Sequence, residues 1–417
     1  MADAERRLER TLNLFDAISI GLGAIIGGGI FVVTGIAAGL AGPALILSIL
    51  IAAIIALITA MSFAELTAWL PVEGSIYEFS YRLVSPIVGY SAGWMWIVSN
   101  IFAGAAVSLG FAYYLTALFP NLDPKLAAVM LCFLFTILNC IGVEMSAKFN
   151  NVLVIAKTVV LGIFITAGLQ HLNYEFFKIP ERYLYGIFPG AFYIFFAYGG
   201  FARVAVIAEE VKDAEKTVPR AMLIALMASA IIYILVGGVA VGLIGAERLS
   251  GSNSPLAEAI SVAGSQLLVS IVSVGGMLAT ASVLLTSILG VSRMAYAMSI
   301  RGDLPLFLGK LHPKFKTPYI SVLMAGSIMA VLNLLLDLRE VVGVGTFGLL
   351  FNYSLANLSA LRLDSKVRRY PRLLPAVGLS TSTILLCFIQ PTTLVMSIIL
   401  LFGGILHHIL RDSYLKS

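Results

Sequence analysis

The sequence predicts an all-α membrane protein of twelve transmembrane helices, and three observations carry that prediction. The first is composition: 59% of the 417 residues are hydrophobic and 12% are charged, against roughly 25% charged in a soluble domain. Mean hydropathy is +0.98. The second is pattern, because apolar runs near the ~20 residues that cross a bilayer follow one another from residue 16 to residue 411. The third is the charge between those runs. With the N-terminus placed inside, cytoplasmic tails, loops and helix ends hold 21 of the 27 Lys and Arg, while the outer side holds Lys125, Lys178, Arg182, Arg248 and Arg339. That asymmetry follows the positive-inside rule for an even number of spans, with both termini cytoplasmic in a cell membrane.

The spans fall at 16–38, 43–69, 86–118, 123–142, 149–170, 186–207, 219–244, 266–299, 318–336, 340–361, 373–390 and 391–410. Ahead of them, MADAERRLER is charged and lacks a cleavable signal pattern, so it reads as a cytoplasmic tail. Span 1 contains SIGLGAIIGGGIFVVTG, with Gly27, Gly28 and Gly29 consecutive at its middle. Span 5 carries Lys157 about nine residues in, ~13 Å along a helix and near the bilayer midplane. Span 6 contains GAFYIFFAYGGFARVAV, with Gly199 and Gly200 adjacent in mid-span. Between spans 7 and 8, residues 254–259 predict a short helix, capped by Ser254, over the outer face. Spans 11 and 12 part only at Gln390-Pro391-Thr392. No linker is long enough for a separate domain, so residues 1–417 form one membrane domain.

The net charge of +5 does not indicate a nucleic-acid partner, because the basic residues are spread over short loops. The clusters at 301–316 and 362–372 instead suit topology and contact with the headgroups of the lipid bilayer. Cys132, Cys140 and Cys387 sit in apolar runs as packing residues, and His171, His312, His407 and His408 form no ligand set. No metal or other cofactor is implied. An ion channel would want a symmetric pore or a ring of like charges. A membrane-embedded enzyme would want a metal set or paired carboxylates within spans. The sequence offers neither.

A continuous helix does not favour glycine clusters, since each interior Gly costs ~1 kcal/mol relative to Ala. Spans 1 and 6 each open a five-helix half, and an odd number of helices inverts the second half. Interruptions at matching positions of inverted halves point to a transporter's binding site. A break exposes N–H groups at one half-helix start, which favours an anion, and C=O groups at the other half-helix end, which favours a cation. Unpaired backbone is tolerated at that depth only where it lines a cavity. One site for both charges suits a zwitterion, and amino acids fit.

Three motifs then identify a family. GLGAIIGGGIFVVTG occupies residues 21–35, SFAELTAWLPVEGSIYEFSYR occupies 62–82, and AYGGFARVAVIAEEVKDAEKTVPRA occupies 197–221. In this order, on twelve spans, they make the chain resemble the amino acid–polyamine–organocation transporter superfamily over nearly its whole length. Within it the chain is most similar to the archaeal broad-specificity, proton-coupled amino-acid transporters. The resemblance implies a LeuT-like five-plus-five inverted repeat with broken helices 1 and 6. Its first repeat would be 11–171, its second 186–362, with spans 11 and 12 at 373–410 outside it. Carried over by motif, the amides of Gly28 and Gly29 receive the substrate carboxylate. The carbonyls of Ile25, Phe196, Ala197 and Gly199 receive its ammonium, and Phe196 takes the place of an aromatic gate. The chain departs from the pattern where many members have an acidic residue, since Ala202 and then Arg203 follow Gly200-Phe201. With that partner for a cationic side chain missing, neutral amino acids are expected. Arg203 itself reads as cytoplasmic-side or cavity-facing, in a structural role.

Related transporters hold a sodium ion between spans 1 and 8. The resemblance puts the Lys157 ammonium there, with the Gly21 carbonyl and the Ser282 hydroxyl as partners. A charge at that depth costs ~2.5–3.5 kcal/mol on insertion scales, and burial disfavours the charged form of an amine. Lys157 is therefore expected to gain and lose a proton during transport, with the proton as coupling ion. An exchanger or a sodium symporter is the rival within transporters. Asp16 and Glu65 read as capping or interface residues and Asn100 as a candidate polar group. Asn139 and Asn333 read as interhelical hydrogen-bond donors, and Trp69, Trp94 and Trp96 as belt or packing residues.

Overall fold

The computed structural model describes residues 11–70, 75–142 and 146–416. The predicted N-terminal tail and residues 71–74 of the second motif lie outside the described residues. Among those described the regular structure is all helical, apart from one bridge between Leu12 and Val211. The first half comprises α1 (Leu14–Ile25), α2 (Gly28–Ala41), α3 (Leu45–Trp69), α4 (Ser75–Leu83), α5 (Pro86–Leu118), α6 (Pro124–Ile141) and α7 (Ala147–Gly168). There follow α8 (Ile187–Tyr198), α9 (Arg203–Val206), α10 (Ala214–Gly251), α11 (Pro255–Ser261) and α12 (Gln266–Ile300). The chain ends with α13 (Tyr319–Leu335), α14 (Leu338–Leu361), α15 (Leu373–Leu385) and α16 (Pro391–Lys416).

Local chemistry sets many of these boundaries. Asn13 and Asp16 form a capping box at the start of α1, and Asp337 and Glu340 form another at α14. Asp123, Ser146 and Ser265 cap α6, α7 and α12 through their side chains. Gly142, in the left-handed region at φ 85°, ends α6. Gly245, at φ 72° and ψ 161°, kinks α10 near its end. The predicted short helix after span 7 is α11, but Ser254 makes no side-chain cap there. The N–H of Leu256, the second residue of the helix, is instead received by Tyr114 Oη at 3.4 Å.

Nine helical stretches among the described residues are long and apolar enough to cross a membrane, the first of them running 56 residues from Leu14 to Trp69. Two shorter apolar stretches, Tyr319–Leu335 and Leu373–Phe388, accompany them. The polarity of the fold is that of a lipid-embedded protein. Leu126, Met130, Phe133, Leu134, Ile137 and Ile141 make an exposed stripe along α6, while Thr136 and Asn139 of the same helix are buried. In water the two faces would exchange places. Cys387, expected to be packed, is exposed.

Packing is densest where α12 and α14 lie along α5, α10 along α3, α13 along α6, and α2 along α8. Asn333 and Asn139 tie helices together as expected: Asn333 Nδ2 donates to Ser108 Oγ at 2.7 Å, and Asn139 Nδ2 reaches the Leu285 carbonyl at 3.4 Å. Trp94 Nε1 donates to the Leu400 carbonyl and ties α5 to α16. Within this bundle, α2 packs on both α8 and α12, and α1 packs on α10 and α7.

Candidate functional site

Helix α1 stops at Ile25, Ile26 takes ψ 55°, Gly27 is extended, and α2 restarts at Gly28. The glycines are required by what passes close to them. A Cβ on Gly27 would lie 2.4 Å from a Val283 methyl, one on Gly28 would lie 2.6 Å from the Thr280 methyl, and one on Gly29 would lie 2.5 Å from the Ala197 Cα. Helix α8 likewise stops at Tyr198, continues as a 3-10 turn over Gly199–Ala202, and resumes as α9. A Cβ on Gly200 would lie 2.2 Å from the Ala24 carbonyl carbon. The two interruptions therefore touch each other backbone to backbone, which no residue with a side chain permits.

A cavity of about 100 Å³ opens where they meet, room for several waters or one small solute. Ile25, Gly28, Gly29, Phe196, Ala197 and Gly199 all line it. The amides of Gly28 and Gly29 belong to the first turn of α2, whose N–H groups have no intrahelical acceptor, and Gly27 supplies no side-chain cap. The carbonyl side differs from expectation. Tyr233 Oη lies 2.5 Å from the Ile25 carbonyl and 3.3 Å from that of Ala197, so its one proton bridges the two interruptions. Tyr353 donates to the Gly199 carbonyl at 2.7 Å. Each carbonyl has two lone pairs and keeps one for a second donor, but none of these three is bare. Neither tyrosine was singled out from the sequence. The available signal was a lone Tyr inside an apolar run, whose hydroxyl must find a partner when buried.

Polar groups from α5 and α14 complete the lining, namely Ser99, Asn100, Asn352 and Tyr353. Ser99 Oγ donates to the Gly345 carbonyl and Asn100 Nδ2 to that of Trp96, so both are held in place.

Lys157 is 1% exposed, on the side of α7 that packs against α1 and α12. Its Nζ donates to Ser282 Oγ at 2.6 Å and to the Gly23 carbonyl at 3.4 Å. Ser282 stands where expected, but the carbonyl is that of Gly23 and not of Gly21. Two residues turn a helix by ~200°. Gly21 accordingly packs on Ala225 and Val204, whereas Gly23 packs on Val154 and Asn150 of α7. Arg203 of α9 also bonds to α12: its guanidinium donates to Thr286 Oγ1 and, at 3.3 Å, to Ser287 Oγ. Asp16 caps α1 and accepts from Asn151 Nδ2. Glu65 is 1% exposed and accepts the backbone N–H groups of Arg369 and Tyr370.

Comparison with known proteins agrees with this geometry. Residues 16–409 match the family model for amino acid permeases. An uncharacterised transporter of Mycobacterium tuberculosis is 35% identical over 392 residues, which is 93% of this chain and 88% of its own. A branched-chain amino acid permease of Bacillus subtilis is 32% identical over 397 residues, covering 90% of this chain and 85% of its own. Cationic amino acid transporter 4 of Mus musculus is 31% identical over 386 residues, covering 86% and 60% respectively. The family and these relatives are transporters, not enzymes. On a match that spans nearly every residue, the chain belongs to the amino acid permease family and is an integral membrane protein.

Proposed function

We propose that this permease imports neutral amino acids of broad range by alternating access, coupled to protons. One observation carries the reading: both interrupted segments present backbone poles to a single cavity, amides from α2 and carbonyls from the ends of α1 and α8. Gly28 and Gly29 take the carboxylate. The spare lone pairs of Ile25, Ala197 and Gly199, with the Phe196 carbonyl, take the ammonium, and the Phe196 ring covers the substrate. Such a site reads only groups common to all amino acids, which is why the range is broad.

The same reading has twelve spans in two inverted repeats, 11–171 and 186–362, with 373–410 outside them and both termini cytoplasmic. A 56-residue stretch would be ~84 Å long as one helix, far beyond a ~30 Å hydrocarbon core. Gly42, at φ 57°, lies where it folds back, so it crosses twice. With the two shorter apolar helices also crossing, the count reaches twelve.

Lys157 is the proton carrier in this reading. Its partners are neutral, a hydroxyl and a carbonyl, so they tolerate both the ammonium and the amine. As an ammonium it bridges α1, α7 and α12; as an amine it releases them. The test is uptake of labelled alanine into proteoliposomes without sodium, with acid outside, for the native chain and Lys157→Ala. Native uptake that follows the gradient and is lost in the variant is the expected result. Uptake only with sodium, or only into vesicles preloaded with an amino acid, would overturn proton coupling in favour of sodium symport or exchange.

A further inference from the structure

Arg203 occupies the cavity and has no part in that mechanism. It lies one residue beyond the 3-10 turn that interrupts span 6, and among the described residues it is the only charged side chain lining the cavity. Both groups that receive its guanidinium, Thr286 and Ser287, are neutral hydroxyls. A guanidinium has five N–H donors, so three are left over, and no carboxylate of the described residues pairs with it. A second cation, the fully buried Lys157, hangs from Ser282 of α12, one turn before Thr286. All the remaining polar side chains of the lining, Ser99, Asn100, Asn352, Tyr353 and Trp96, are neutral.

The backbone poles already match the zwitterionic half of an amino acid. Any further charge on the substrate must therefore settle with the side chains. A cationic side chain entering this cavity would meet a like charge with water largely removed and no carboxylate to offset it, where charge–charge forces are far stronger than in water. The shared scaffold does not fix the outcome. Relatives named for branched-chain and for cationic amino acids are 32% and 31% identical to this chain, nearly the same distance away.

We propose that Arg203 sets the side-chain charge this permease accepts. Its guanidinium shuts out amino acids with a cationic side chain, whereas neutral side chains pass and an acidic one finds in it a counter-charge. Arg203 is thus a specificity-determining residue, and Thr286 and Ser287 are its positioning residues, holding the guanidinium at the cavity wall. The inference rests on the amino-acid reading above and deepens it.

Equilibrium binding to the purified full chain tests it without requiring turnover. Unlabelled lysine and arginine should displace labelled leucine about tenfold more weakly than leucine or glutamine does. Arg203→Gln, which retains a donor for Thr286, should bring lysine to within about threefold of leucine, while Arg203→Lys should keep lysine excluded. A purely structural role would weaken every competitor alike and leave their ratios unchanged. Because Arg203→Gln can fail to fold, Ala202→Glu provides a second route: it places a carboxylate on a cavity-lining neighbour of the guanidinium and should likewise admit lysine. Native protein that binds leucine while both variants exclude lysine as firmly as before overturns the role of Arg203 and leaves the amino-acid reading standing. Native protein that binds lysine as well as leucine also overturns it. Native protein that binds no amino acid overturns both.

Discussion

One glycine and one tyrosine show how single residues hold the two interruptions together. Gly29 has the backbone of Ala197 where a Cβ would go, at 2.5 Å, and backbone cannot rotate away as a long side chain can. Gly29→Ala should therefore abolish uptake and lower the melting temperature of the purified protein. Gly162 in α7 has nothing within 4 Å of its notional Cβ. Gly162→Ala should leave uptake intact and stabilise the helix by up to ~1 kcal/mol. Together the two substitutions separate close approach from helix propensity. Tyr233→Phe removes the hydroxyl between the Ile25 and Ala197 carbonyls. Losing that bond should cost about 1 kcal/mol, seen as a lower midpoint in thermal unfolding. If the midpoint does not move, the hydroxyl does not hold the two interruptions together.

Between elements, Glu65 joins its helix to a distant loop. It sits near the end of α3, fully buried, and one oxygen of its carboxylate accepts two successive N–H groups from the loop joining α14 and α15. The same loop reaches the start of α10 through Arg369, whose guanidinium donates to the Glu215 carbonyl at 2.9 Å. Three elements are thus clipped by one buried carboxylate, and hydrogen bonds to a charged group contribute about 1.5–3 kcal/mol. Glu65→Ala should free the loop and speed trypsin cleavage at Arg368 and Arg369. Glu65→Gln, which keeps one acceptor oxygen, should fall between it and the native chain. Cleavage at the native rate in Glu65→Ala would show that the loop is held by other contacts.

For the molecule as a whole, the distribution of Lys and Arg sets the proposed orientation, and side-selective labelling measures it. With the native cysteines replaced, a cysteine at exposed Lys178 should react with an impermeant maleimide added to intact cells. A cysteine at exposed Ser365 should react only after the membrane is opened. The reverse pattern would invert the proposed topology and place the basic loops outside. Orientation matters to the proposed mechanism, in which Lys157 would be loaded by an inward proton gradient from the outer side.

Which runs form apolar helices, where two of them are interrupted by glycines and which lysine is buried were legible in the sequence. Each is a one-dimensional property: length against bilayer thickness, glycine against helix propensity, charge against the cost of leaving water. Thus α5, predicted at 86–118, has those boundaries, and the interruptions fall within the glycine clusters. The rotational phase of each helix about its axis could not be read in this way, since it depends on neighbours distant in sequence. For that reason Lys157 meets the carbonyl of Gly23 instead of Gly21. Tyr233 and Tyr353, indistinguishable in sequence from packing residues, prove to hold the broken ends. Arg203, which the sequence left either cytoplasmic-side or cavity-facing, lines the cavity. An apolar run determines that a residue is in the membrane; only the packing of one helix against another decides which way it faces.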